Sequence, residues 1–452
     1  MKRFTKLVSI LSAVSLLLSA CSNGSNTDKK DNKKADSNEK EKTEASADED
    51  SGDSEGSETV EAWTWDPNFN IKALEIAEET YKKDNPDFDL KIVENAQPDI
   101  VQSLNTNLSS GVTDALPDIV FIEDYRISSF LKAYPDAFYP MEDYFNPDDF
   151  AKYKVEVATM DDHVYGIPFD SGSMGTFVRT DVLEECGYTL DDLKDIDWSE
   201  YIEIGKDVHE KTGKYWITQD PNDLGLIRGM IQSSGSWYTK EDGKTPWIAD
   251  NEALKQAFKD YKTMYDSGIM NSYNGWDQLL GNINSGEVVS TPTGNWFIPS
   301  ITQEESQAGK WGVVPFPRQT IEGSKNASNL GGSSIYVLNG DNAEAAAKFL
   351  GATFGSNTEF YQDLVNEIGA IGTHLPSYDG EGYKAKVDYF GGQQIYQDFA
   401  KWTNEIPAVN FGSNTYQVED IMRVSIQDYL NGADLDEVLQ QAQEQAESAI
   451  QE

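Results

Sequence analysis

Between Val60 and Ile122 the apolar residues change period four times, and that pattern restricts the chain to few architectures. Val60 to Trp65 reads as a strand, and Ile71, Leu74, Ala77 and Tyr81 then fall on one helical face. Asn85-Pro86 ends that helix, because proline disfavours helical geometry in the residue before it. Phe88, Leu90 and Ile92 alternate with Asp87, Asp89 and Lys91 as a half-buried strand does. A second helix carries Ile100, Val101, Leu104 and Leu108 and stops at Gly111. The run Ile119-Val120-Phe121-Ile122 after Asp118 suits a strand buried on both faces. Strands alternating with helices predict a mainly parallel α/β sheet, whose ligands bind beyond the carboxyl ends of its strands. Two groups of aromatic and carboxylate residues lie there, Trp65-Asp66-Pro67-Asn68 after the first strand and Glu123-Asp124-Tyr125 after the third.

Tyr165 to Asp170 reads as an extended segment leaving this first region. A second α/β-like region follows, with helices near Trp198 to Lys211 and Asn251 to Ser267. GGSSIYVL, ending at Leu338, is glycine-rich and then strand-like. From Gln417 the tail is helical, with Val418, Ile421 and Met422, then Leu435, Val438, Leu439, Ala442 and Ala446 in register. No internal repeat occurs at solenoid periods.

The first 20 residues read as a signal peptide: Lys2, Arg3 and Lys6 precede an apolar run from Leu7 to Leu18. A spanning helix needs roughly 20 such residues. Leu18-Ser19-Ala20-Cys21 has the order of a bacterial lipobox, so Cys21 is the expected lipidation site. Residues 21–58 form an acidic, serine-rich tether with too little apolar surface to offset the entropy of ordering. A tether of this length points to a Gram-positive envelope. The formal net charge of -42 excludes nucleic acid as a partner, since a phosphate-binding surface must be basic. With Cys21 lipidated, Cys186 stands alone as an inert helix-end residue, and the body has no disulfide framework.

Enzyme motifs are missing. His163, His209 and His374 are far apart and give neither a zinc site nor a triad. Beyond Glu58 there is no GxSxG elbow, no P-loop and no EF-hand loop. A secreted glycoside hydrolase is the alternative hardest to dismiss, because it needs only two carboxylates and the chain has 78 acidic residues. What the chain offers instead is tryptophan beside small polar residues: Trp65, Trp237, Trp276, Trp296 and Trp402. A sugar has apolar C–H faces and a rim of hydroxyls, matching an aromatic plate flanked by hydrogen-bonding groups. Trp63, Trp198, Trp216, Trp247 and Trp311 read as core.

WTWDPNFN, LPDIVFIEDY, VYGIPFDSG, DPNDLGLIR, PTGNW, KWGVVPFP, ASNLGGSSIYVL and YFGGQ run in order from Trp63 to Gln393. On these segments the chain resembles the extracellular solute-binding proteins of carbohydrate ABC importers, the family that includes maltose-binding protein. Within it the chain is most similar to lactose-binding components. The resemblance implies an α/β, two-lobed periplasmic-binding-protein-like fold, with a hinge crossed three times and a helical C-terminal tail. It places an N-terminal lobe at 59–169 and 331–370 and a C-terminal lobe at 172–328 and 374–452. It implies no catalysis and no cofactor. A monomer lipid-anchored on the extracellular face of the membrane would capture a mono-, di- or oligosaccharide and deliver it to permease subunits. The sugar would be a lactose-type β-galactoside or a xylo- or arabino-oligosaccharide. The implied ligand residues are Trp65, Asp66, Asn68, Glu123, Asp124, Tyr125, Asp170, Trp296 and Trp402, with Trp237 and Trp276 matching less closely. Asp170 would be a hinge carboxylate that accepts sugar hydroxyls. The lipobox, the tether and the local motifs depart from maltose-binding protein itself.

Overall fold

The computed structural model describes residues 59–450. The signal peptide, Cys21 and the tether lie outside the described residues. The described residues build twelve strands: β1 (Thr59–Thr64), β2 (Asp89–Glu94), β3 (Ile119–Glu123), β4 (Thr159–Met160), β5 (His163–Val164), β6 (Gly166–Pro168), β7 (Met174–Arg179), β8 (Ile217–Gln219), β9 (Met270–Ser272), β10 (Ser290–Gly294), β11 (Trp311–Pro315) and β12 (Ser333–Val337).

The first lobe carries the sheet β2-β1-β3-β12-β6. Helices α1 (Asn70–Lys82) and α2 (Gln97–Ser110) connect its parallel strands, and α2 ends on Gly111 in the left-handed conformation that glycine adopts without penalty. Val60, Ala62, Leu74, Ala77, Phe121 and Ile335 are fully buried in its core. The expectation of a mainly parallel sheet holds only for β1, β2 and β3. β12 runs antiparallel to both β3 and β6, because the chain re-enters this sheet from the hinge instead of through a crossover helix. The second lobe is built on the antiparallel sheet β10-β7-β11 and the parallel pair β8-β9. Its helices include Trp198–Thr212, Gly225–Ser233 and Glu252–Asp266, with Thr415–Leu430 and Leu435–Ile450 closing the chain. Trp198, Trp216 and Phe258 are buried in one of its clusters and Phe177, Trp311 and Phe399 in another. Cys186 is the buried, unpaired last residue of the helix Thr180–Cys186. Among the described residues no helix is long and apolar enough to cross a membrane.

Three segments cross between the lobes side by side. Ser171 N–H donates to Ile371 C=O at 3.2 Å, Thr373 N–H to Phe169 C=O at 3.0 Å, and Leu330 N–H to Gly172 C=O at 2.8 Å. At the second crossing Gly331 and Gly332 have φ of 76° and 92°, values that side chains disfavour. A Cβ on Gly332 would also sit 2.8 Å from Asp124 Oδ2, so the segment passes this point only as glycine.

Candidate functional site

The loop after β1 turns at once. Asp66 has φ of 61° and its Oδ1 accepts from Asn68 N–H at 3.0 Å, an Asx turn that leaves Asp66 and Asn68 exposed. Trp65 is half-buried, edge-on to Phe121 at 6.4 Å, and adjoins Glu123 and Arg126 in a small recess. After β3 no loop follows, because α3 (Asp124–Ala133) begins directly. Consecutive residues therefore point in different directions. Glu123 faces the second lobe, where its carboxylate accepts from Tyr416 O–H and meets Arg126 Nε at 3.3 Å. Asp124 turns into the hinge and pairs with Lys154 at 2.6 Å, both side chains at most 1% exposed. Burial pushes the Asp124 carboxyl up to about 6 against the attraction of Lys154. Tyr125 inserts into the second lobe, stacked on Trp237 at 5.7 Å and under the Arg228 guanidinium at 4.9 Å.

Between the lobes lies a cavity of about 210 Å³. Glu123 lines it from the first lobe, Gln219, Asp223, Arg228 and Trp296 from the second, and Leu330 and Gly331 from the hinge. The Trp296 indole folds back over its own Gly-Asn turn. A Cβ on Gly294 would sit 2.2 Å from Trp296 Nε1, so glycine there permits the fold-back. Nε1–H donates to Leu330 C=O at 2.9 Å. Trp276, 46% exposed, packs on Trp296 with centroids 5.9 Å apart. Two aromatic plates therefore stand beside a polar set of both signs. Arg228 Nη1 is fixed by Glu419 at 2.8 Å, whose other oxygen accepts from Tyr238 O–H at 3.1 Å.

Sequence reading brought Glu123, Trp276 and Trp296 to this cavity or its rim, and Trp65 to its flank. Five expected residues have their side chains occupied elsewhere, Tyr125 among them through its place against Trp237 and Arg228. Asp170 accepts from Gly172 N–H at 3.1 Å and from Ser333 N–H and Oγ–H at 3.0 and 2.8 Å, so its carboxylate clasps two crossings. Asp124 is committed to Lys154 and Ser334. Trp237 is 2% exposed and donates to Thr415 Oγ1 at 3.0 Å. Trp402 packs on Phe399 in a different cluster and borders an outer groove with Trp311, Gln393 and Lys401. Arg228, Asp223, Gln219 and Tyr416 were missed. Arg228 carried a signal, since it follows Leu224 by four residues and precedes Ile231 by three on an apolar helix face. A charge placed there needs a buried partner.

A profile of the bacterial extracellular solute-binding proteins matches residues 77–391. A lactose-binding protein of Rhizobium radiobacter is 40% identical over 393 residues, 87% of this chain and 93% of that one. The chain belongs to the bacterial extracellular solute-binding proteins. As a member of that family it is a binding protein and not an enzyme, and its place is extracytoplasmic. An arabinooligosaccharide-binding protein of Halalkalibacterium halodurans is 25% identical over 88% of this chain and 91% of its own. Two solved structures share the family's fold. The sugar-binding protein MalE of Xanthomonas citri has a TM-score of 0.72 at 18% identity, covering 87% of this chain and 97% of that one. An ABC transporter-associated binding protein of B. animalis subsp. lactis, solved with beta-1,6-galactobiose, has a TM-score of 0.71 at 22% identity and the same coverage.

Proposed function

We propose that this solute-binding protein captures a β-galactoside of the lactose type in the interlobe cavity and hands it to the permease of an ABC importer. The observation that carries the reading is the Trp276–Trp296 pair standing beside Glu123, Asp223 and Arg228. The plates suit the apolar face of a pyranose, and the charged groups supply acceptors and donors for its hydroxyls. The 40% identity to a lactose-binding protein supports the choice of sugar. An arabino-oligosaccharide is the second reading, supported by the half-exposed Trp276 at the rim, past which a longer chain can run.

The ligand residues in this reading are Glu123, Trp276 and Trp296, joined by Gln219, Asp223 and Arg228, with Trp65, Asp66 and Asn68 meeting the ligand from the first lobe. Tyr125, Trp237, Asp124 and Asp170 support them from behind. The lobes divide as 59–169 with 331–370 and 172–328 with 374–452, a division supported by their separate buried clusters. The chain acts as a monomer held by lipid on Cys21, on a Gram-positive membrane.

A thermal-shift panel of lactose, galactobiose, arabino- and xylo-oligosaccharides and maltose tests the reading. A ligand that binds only the folded state at 100 times its Kd adds about 2.7 kcal/mol of stability. Lactose should raise the melting temperature most. A rise with maltose alone, or with none of the panel, contradicts the proposal.

A further inference from the structure

We propose that Trp296 is a positioning residue as well as a wall of the cavity: it carries ligand occupancy to the hinge. The inference rests on the sugar-binding reading above and adds the route by which that binding moves the lobes. Trp296 lines the cavity together with Leu330 and Gly331, which belong to the second crossing. Its Nε1–H holds Leu330 C=O at 2.9 Å, and Leu330 N–H in turn holds Gly172 C=O of the first crossing at 2.8 Å. The residue before it completes the clamp. Asn295 Nδ2–H donates to Ser171 Oγ at 3.1 Å and Asn295 N–H to Ser173 C=O at 2.9 Å. One short turn from the second lobe therefore grips two of the three crossings.

The indole has little freedom to give way. It is folded tightly over Gly294, and beyond it Gly331 and Gly332 hold a left-handed backbone pair. A ligand pressed on this ring acts on a group that is already bonded to the pivot. Preference for one lobe arrangement requires contacts that differ between arrangements, and a ring anchored on the hinge supplies them. Trp276 is the internal control. It packs on the same aromatic cluster through ring contacts with Trp296 and Phe297, and no hydrogen bond ties its indole to a crossing segment.

The test compares Trp296→Phe with Trp276→Phe in the full chain. Each keeps an aromatic ring, and only the first cuts a bond to the hinge. Lactose affinity is read by calorimetry, and the distance between lobes by fluorescence transfer between dyes on exposed residues of the two lobes. Trp296→Phe should weaken lactose binding about 2- to 12-fold, the worth of one hydrogen bond. At saturating lactose its interlobe distance should stay broader than that of the parent chain. Trp276→Phe should reach the parent distance once saturated. If Trp296→Phe does not fold, Asn295→Ala, which spares the ring and frees Ser171, should show the same broadened distance. Full closure in Trp296→Phe, or equal broadening in Trp276→Phe, overturns the coupling while leaving sugar binding intact. A parent chain that binds no sugar of the panel overturns the underlying reading, and the coupling falls with it.

Discussion

The Arg228 guanidinium lies 4.9 Å from the centroid of the Tyr125 ring, so a cation of the second lobe is seated on an aromatic of the first. The same guanidinium lines the cavity and is paired with Glu419, which is 2% exposed. Removing one partner of such a buried pair strands the other charge, at about 3–5 kcal/mol. Arg228→Met should lower the urea midpoint accordingly and weaken sugar binding. Arg228→Met with Glu419→Leu should regain much of the stability but not the affinity. An unchanged midpoint in the single variant would show that the pair carries no weight.

The tryptophans separate by what their loss costs. Trp276→Ala should leave the melting curve unchanged and weaken binding by about 2 kcal/mol or more, roughly 30-fold. Trp237→Ala and Trp402→Ala empty buried volume, and each should cost about 3–5 kcal/mol of stability. Calorimetry beside a denaturant titration of each variant checks both halves. A stable Trp402→Ala with lost affinity would return that residue to the ligand site.

Asp170 offers the same kind of decision. Asp170→Ala strips the acceptor from two backbone N–H groups and one hydroxyl at the hinge, about 1–3 kcal/mol for each donor left buried and unpaired. The melting temperature should fall clearly. An unchanged melting temperature with lost affinity would restore its role as an acceptor of sugar hydroxyls.

His374 sits 2% exposed at the third crossing, stacked on Tyr361 at 5.1 Å and bonded through Nδ1 to Ser377 Oγ at 2.6 Å. Burial pulls its pKa down to about 4, with Asp149 opposing weakly. The unfolded chain therefore takes up a proton near pH 6.5 that the folded chain refuses. The His374 contribution is complete above that pH and is lost as pH falls toward 4. Asp124 and Asp260, each pushed up to about 6 by burial, work in the opposite direction. The clean readout is the melting-temperature difference between the parent chain and His374→Asn, which should shrink from pH 7.5 to pH 4.5. A difference that stays constant contradicts a buried neutral imidazole.

The first lobe was legible because burial follows local period: Leu74 and Ala77 on α1 and the run Ile119–Ile122 show their buried faces in the sequence. The direction of β12 was not, since Ser333–Val337 reads the same whichever way it joins β3. Trp296, picked out by its Gly-Asn turn and by the family resemblance, does line the interlobe cavity. At Trp402 the polar neighbours Thr403 and Asn404 suggest an open loop, yet Ile395, Phe399 and Trp402 are spaced as one helical stripe and are all buried. Asp124 and Asp170 read in the sequence as ligand carboxylates. That their carboxylates turn into the hinge depends on Lys154 and Ser333, which are distant in sequence.

On the proposed reading, this cavity takes a neutral sugar and leaves it intact. Calorimetric titration of the purified full chain with lactose, followed by chromatography of the recovered sugar, tests it most directly. Saturable one-to-one binding is expected, abolished or strongly weakened in Trp296→Ala, with lactose recovered unchanged. No binding heat with lactose or any arabino-oligosaccharide, or hydrolysis that persists through repurification, would contradict it.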